Sequence, residues 1–329
     1  MFLLVYASLK RFLMCMKFTI TFIGLVDLFY WKLPVYEYIK LLTMKLKSLH
    51  QAVLTSLLVA STAHADMDIN NAVTMSGVVE VSISQFEHDA VVAAIDTLEL
   101  TFGAQLADNI DAELVLLDEA LGTSDHTGVA VDRAVVNFTT DMGVITAGKM
   151  TVPFASDNTN MISDSVTLEE PVGYGVVFAN SFANLVYSVY ATTPDNDYTQ
   201  TGNNNFADLA GMNVGYRFND YSNIDASVVS VDGKTSTAFA FAGNAGKVGV
   251  IAQMTNMYGE AQPRANVEIS YSVGYGTFAI AAQRDAASKE IWLYGFSADV
   301  TKDLTANVEY KENVSDQETT FTMQLAYNF

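Results

Sequence analysis

The chain has 329 residues, enough for one large domain or two small ones; half of them are hydrophobic and only 16% are charged. Soluble globular domains carry about 25% charged residues, so the composition argues against an ordinary soluble fold. Seven of the 17 basic residues and two of the 37 acidic ones precede Asp66, so the rest of the chain is strongly acidic. Such a surface repels nucleic acid and suits divalent cations or a surface bridged by them.

Residues 1–43 hold bulky apolar and aromatic residues, Trp31 and the only cysteine, Cys15. They read either as a hydrophobic anchor or as sequence upstream of a chain whose translation begins at Met44. The second reading is favoured, because residues 44–65 form a complete export signal. Lys45 and Lys47 are its charged start, Ala52 to Ala60 its apolar middle, and Ala63-His64-Ala65 a small-x-small cleavage site that would leave Asp66 first. Past that site there is no cysteine, hence no disulfide or thiolate chemistry. No stretch after Met44 runs to ~18 uninterrupted apolar residues, as a membrane helix needs. The remaining way to span a bilayer is a closed barrel.

Residues 66–329 alternate apolar and polar again and again, the mark of strands with two unlike faces. In chain order the strands are expected at 73–86, 94–106, 110–118, 129–140, 143–150, 173–179, 183–193, 208–218, 223–231, 235–242, 246–256, 264–274, 276–284, 290–298, 304–312 and 318–329. That is about 16, an even number, as bacterial single-chain barrels have. Connections alternate between tight ones, such as Asp141-Met142, and longer ones, of which 151–172 is the longest. Short turns on one rim and longer loops on the other are the barrel arrangement. Pro153, Pro171, Pro194 and Pro263 lie in or beside long connections, where no ladder hydrogen bond is lost. The expected fold class is therefore all-β: a transmembrane antiparallel barrel with a long third extracellular loop.

The stretch Gly148-Lys149-Met150-Thr151-Val152-Pro153-Phe154 opens that loop after the fifth expected strand. It resembles the corresponding stretch of Gram-negative outer-membrane porins, whose third loop folds inward and narrows the pore. The final strand, ending on Phe329, resembles the signature by which outer-membrane proteins reach the barrel assembly machinery. Asn160-Met161-Ile162-Ser163-Asp164-Ser165-Val166-Thr167-Leu168-Glu169 resembles the same loop in the legiobactin-type siderophore porin family. The porin resemblance implies an outer-membrane location among lipid and lipopolysaccharide, and passive diffusion of small hydrophilic solutes or ions. Barrels of this size commonly form homotrimers, so self-association is one expectation. The siderophore resemblance implies uptake of a ferric siderophore without a plug domain, for which ~16 strands leave no residues. A non-conducting adhesive barrel and a soluble secreted β protein are the further alternatives.

Strand alternation points Glu80, Glu99, Glu113, Asp225, Glu268 and Glu309 into the lumen, with Arg133 and Arg217. Lys149 is included, although its strand alternates poorly. The third loop adds Asp157, Asp164, Glu169 and Glu170. Opposed acids and bases across a constriction would filter solutes by charge. The bland alternative is a set of wetted polar positions.

Asp195-Asn196-Asp197 and Asp157-Asn158 offer oxygen ligands without the spacing of a twelve-residue calcium loop, so solvated loop acids explain them better and no metal is expected. His88 and His126 sit in connections, and Ser124-Asp125-His126 is sequence adjacency rather than a triad. Neither an enzyme activity nor a cofactor is expected. Phe138, Phe182, Phe218, Tyr221, Tyr275 and Phe278 fall near strand ends and fit an interfacial aromatic girdle.

Overall fold

The computed structural model describes residues 67–70, 73–86, 91–121, 128–155, 159–167, 171–194, 208–231 and 233–329. It contains β1 (Met67–Asn70), β2 (Val73–Phe86), β3 (Val91–Ala107), β4 (Ile110–Leu121), β5 (Ala130–Thr140) and β6 (Gly143–Thr151). Then come β7 (Val172–Phe182), β8 (Leu185–Pro194), β9 (Leu209–Asn219), β10 (Ser222–Val231), β11 (Lys234–Ala245) and β12 (Val248–Asn256). The last are β13 (Arg264–Ser272), β14 (Thr277–Arg284), β15 (Glu290–Asp299), β16 (Leu304–Asn313) and β17 (Glu318–Asn328).

From β2 to β17 each strand pairs antiparallel with the next, and β17 pairs with β2 from Thr320↔Phe86 to Asn328↔Val78. The ring of sixteen strands is thereby closed, which leaves no long unpaired edge. Phe329 finishes the seam: its N–H donates to the Gly77 carbonyl at 3.0 Å and its carbonyl accepts from the Gly77 N–H at 2.8 Å. A Cβ added at position 77 would meet the Glu99 carbonyl oxygen at 2.5 Å and the Phe329 ring at 2.6 Å, so glycine is required there. The short β1 was not expected; it pairs with the first residues of β2, Met67↔Met75.

Turns of two to four residues close the short rim, with two at Asp141-Met142 and at Gly246-Lys247. The other rim is uneven: twenty residues separate β6 from β7, but only two separate β10 from β11. Gly233 makes that short connection with φ +75°, a conformation other residues adopt at a cost.

The two faces are inverted relative to a soluble β protein. Tyr174, Val189, Ile269, Tyr271, Ile280, Trp292, Tyr294 and Tyr310 are exposed on the outside. Ser82, Ser227, Gln253, Asn266, Glu268 and Glu309 are buried inside. An apolar exterior wrapped around a polar interior is stable only where the outside meets lipid. Phe182, Phe218, Tyr221 and Tyr275 stand exposed at the short-turn rim, as an interfacial girdle requires.

Candidate functional site: the lumen and its third loop

The long connection between β6 and β7 enters the barrel and touches two sectors of wall. At its start Val152 and Phe154 pack on inward residues Val135, Met150, Val177, Tyr190, Leu209 and Val229. Val152 also donates its N–H to the Pro171 carbonyl at 2.9 Å, which ties the two feet of the loop together.

The middle of the loop docks on β13 to β16. Glu268 of β13 accepts from the Thr159 hydroxyl at 2.8 Å, from the Asn160 N–H at 3.0 Å, and from the Asn160 side-chain amide. Glu309 of β16 accepts from the N–H groups of Ile162 at 2.8 Å and Ser163 at 3.0 Å, and from the Ser163 hydroxyl. Between these two clasps Met161 fills an apolar socket of Ala279, Ala281, Ile291 and Leu293. A side chain at Gly295 would meet the Met161 sulfur at 2.9 Å. Further on, the Thr255 hydroxyl of β12 donates to the Thr167 carbonyl at 2.8 Å. Arg264 of β13 donates to the Val166 carbonyl at 3.4 Å and pairs with Glu260.

These contacts define the inner face, and register carries it round the ring, because directly opposed residues share a face. Glu309 lies opposite Gly295 and Thr322, and Thr322 opposite Ser84, so the even positions of β2, including Glu80, face inward. Glu99 lies opposite Val78 on the same face. Asp225 lies opposite Gly215, with its carboxylate in the space an added Cβ would need. Arg217 follows on that face opposite Asn223. Arg133 meets Glu113 through its Nε at 2.9 Å.

Lys149 departs from expectation. It lies opposite Ala134 and Tyr174, with its ammonium 5.7 Å from the Tyr174 ring centroid, and Tyr174 is exposed on the outer face. Its neighbours Gly148 and Met150 are the inward residues. Asp164 is exposed on the loop. Asp157, Glu169 and Glu170 lie outside the described residues, as do Asp195, Asn196, Asp197, His88 and His126.

Among the described residues, further charged side chains belong to the inner face beyond those expected, including Lys311, Arg264, Asp111 and Asp96. Lys311 lies opposite Leu293. Arg264 lies opposite the buried Thr255. Asp111 accepts from Asn137 at 2.7 Å. Asp96 fills a bulge of β3 and accepts from the buried Ser82 at 2.7 Å. Lys311 was legible, since it continues the polar alternation of Glu309; the bulge that aims Asp96 inward was not.

The loop leaves open space beside it. A cavity of about 450 Å³ lies against β5 to β9, and one of about 860 Å³ lies nearer the short-turn rim beside Thr159, Asn160 and Arg217. Among the described residues no cluster of carboxylates and histidines is arranged to hold a metal ion.

A closed sixteen-stranded antiparallel barrel with its third loop folded inside is the porin class of fold. Solved structures agree. The anion-selective porin from Comamonas acidovorans matches 78% of this chain over 99% of its own length, with TM-score 0.59 and 13% identity. A mutant of the Rh. blastica porin matches 78% of this chain over its whole length, with TM-score 0.62 and 11% identity. The outer membrane channel DcaP of Acinetobacter baumannii matches 78% of this chain over 97% of its own, with TM-score 0.59 and 15% identity. No protein-family model and no curated protein matches the sequence.

Proposed function

We propose that the protein is a passive diffusion channel of the outer membrane of a Gram-negative bacterium, admitting small hydrophilic solutes and ions. One observation carries this reading: a polar lumen, narrowed by an inward loop that is hydrogen-bonded to the far wall, with open space beside it. The apolar exterior supports a lipid setting. Export with cleavage after Ala65, delivery by the assembly machinery through the strand ending at Phe329, contact with lipopolysaccharide and a homotrimeric state belong to the same reading. No catalytic step is part of it. Planar-bilayer recording tests it: discrete conductance steps in potassium chloride are expected, and a non-conducting barrel would be an adhesin or a scaffold instead.

The siderophore reading retains one support, the resemblance of residues 160–169, which no comparison extends. It needs a basic path past Arg133, Lys149 and Arg217, and Lys149 sits on the outer face of the barrel. Binding of a ferric siderophore with growth rescue under iron limitation is its test.

A further inference from the structure

The 450 Å³ cavity differs in kind from the rest of the lumen. Pro153, Ala155, Ala179 and Val186 give it an apolar floor backed by the buried Met150, Val152, Phe154 and Val177, and among the described residues Arg133 is the one charged side chain on its lining. Its volume falls in the ~300–1,000 Å³ range of small-molecule sites. The floor exists because the foot of the third loop packs on inward apolar residues at this sector. A second, independent feature points to a ligand. Ser188 borders the cavity, is only 7% exposed, and its buried hydroxyl has no hydrogen-bond partner among the described residues. Buried hydroxyls are nearly always bonded, because desolvation without a partner costs free energy.

We propose that this cavity is a binding station for zwitterionic solutes with an apolar body, such as an α-amino acid bearing a hydrophobic side chain. The inference rests on the channel reading above and names a solute class for it. Glu113 sits on the Nε side of the guanidinium as a charge partner at 2.9 Å without a formed hydrogen bond, so the fork of the two terminal nitrogens suits a carboxylate. The Glu113 carboxylate, itself partly exposed, suits the adjacent ammonium group. The apolar body then lies on Pro153, Ala179 and Val186, where water is poorly satisfied. A simple anion fares worse, because Glu80, Asp96, Glu99, Asp111 and Asp225 make the surrounding wall acidic.

The test uses the protein in planar bilayers under potassium chloride. Phenylalanine added on the long-loop side should reduce the current, with half-block at a concentration about tenfold below that of alanine. Phenylacetate and phenethylammonium, each lacking one charge, should block more weakly. Arg133→Gln should weaken the phenylalanine block, raising its half-block concentration about tenfold. Arg133→Lys keeps the charge without the fork and should retain part of the block. Both variants are checked for the heat-shifted gel mobility of a folded barrel. Equal block by phenylalanine and alanine in a conducting channel would overturn the site. Block by phenylacetate at the phenylalanine concentration would overturn the zwitterion assignment. A chain that folds and never conducts would instead overturn the channel reading.

Discussion

Glu268 and Glu309 show how one residue type can serve two ends. Both were legible as inward acids from alternation alone. Each is almost wholly buried and accepts its hydrogen bonds from the third loop, so neither is an open charge facing solute. Changing both to glutamine places an amide where the loop presents N–H donors. Bonds to charged groups contribute roughly 1.5–3 kcal/mol each, so the double variant is expected to free the loop. Single-channel recording should show a larger and noisier conductance, while gel mobility stays that of a folded barrel. This role was hidden in the sequence because the partners lie 108 and 147 residues apart. Lys149 was misplaced for a related reason. Its strand has apolar Met150 pointing inward, because the loop foot packs on it. Where the lumen wall is covered by protein, the rule of polar residues inside fails, and alternation no longer tells the two faces apart.

At the scale of elements, the strands and tight turns were legible because the alternation is local and each turn residue follows from backbone geometry. The bulges and β1 were not, since a bulge is set by the partner strand and four residues carry too little pattern. The C-terminal strand is the seam of the ring, and deleting Phe329 removes two backbone hydrogen bonds to Gly77 together with the ring over it. The yield of folded barrel in the membrane should fall, read by heat-shifted mobility, with secretion to the periplasm unchanged. On the loop rim, Lys289 and Asp316 join two neighbouring connections at 2.8 Å. The hydrogen bond from Lys289 holds the Asp316 carboxyl below the usual carboxylate range. A depressed carboxyl stabilises the folded rim above its unfolded pKa, and that contribution is lost as pH falls through the depressed value. The Asp316 carboxyl, followed by NMR, should therefore titrate below an unpaired aspartate, and Lys289→Met should return it toward the ordinary carboxylate range.

At the scale of the whole molecule, the sign of the lumen decides which ions pass. Glu80, Asp96, Glu99, Asp111 and Asp225 outweigh Arg217, Arg264 and Lys311, and Arg133 is matched by Glu113. Carboxylate-lined pores concentrate cations and repel anions. The reversal potential should report potassium preferred over chloride, more strongly in dilute salt, where the Debye length of ~30 Å at 0.01 M spans the pore. Neutralising Asp164, Glu169 and Glu170 together should weaken that preference, since the loop that carries Asp164 lies inside the barrel. An unmodified channel preferring chloride would contradict the assignment.

The double clasp also sets an order in time. Its carboxylates belong to β13 and β16, far along the chain from the loop they hold, and contacts of such sequence separation are slow to form. The wall must exist before the loop has anything to grip. Refolding should therefore run in two stages: a heat-resistant ring appears first, with the third loop still open to protease, and protection of residues 159–163 follows. In the Glu268→Gln, Glu309→Gln variant the first stage should keep its rate and the second should fail to complete.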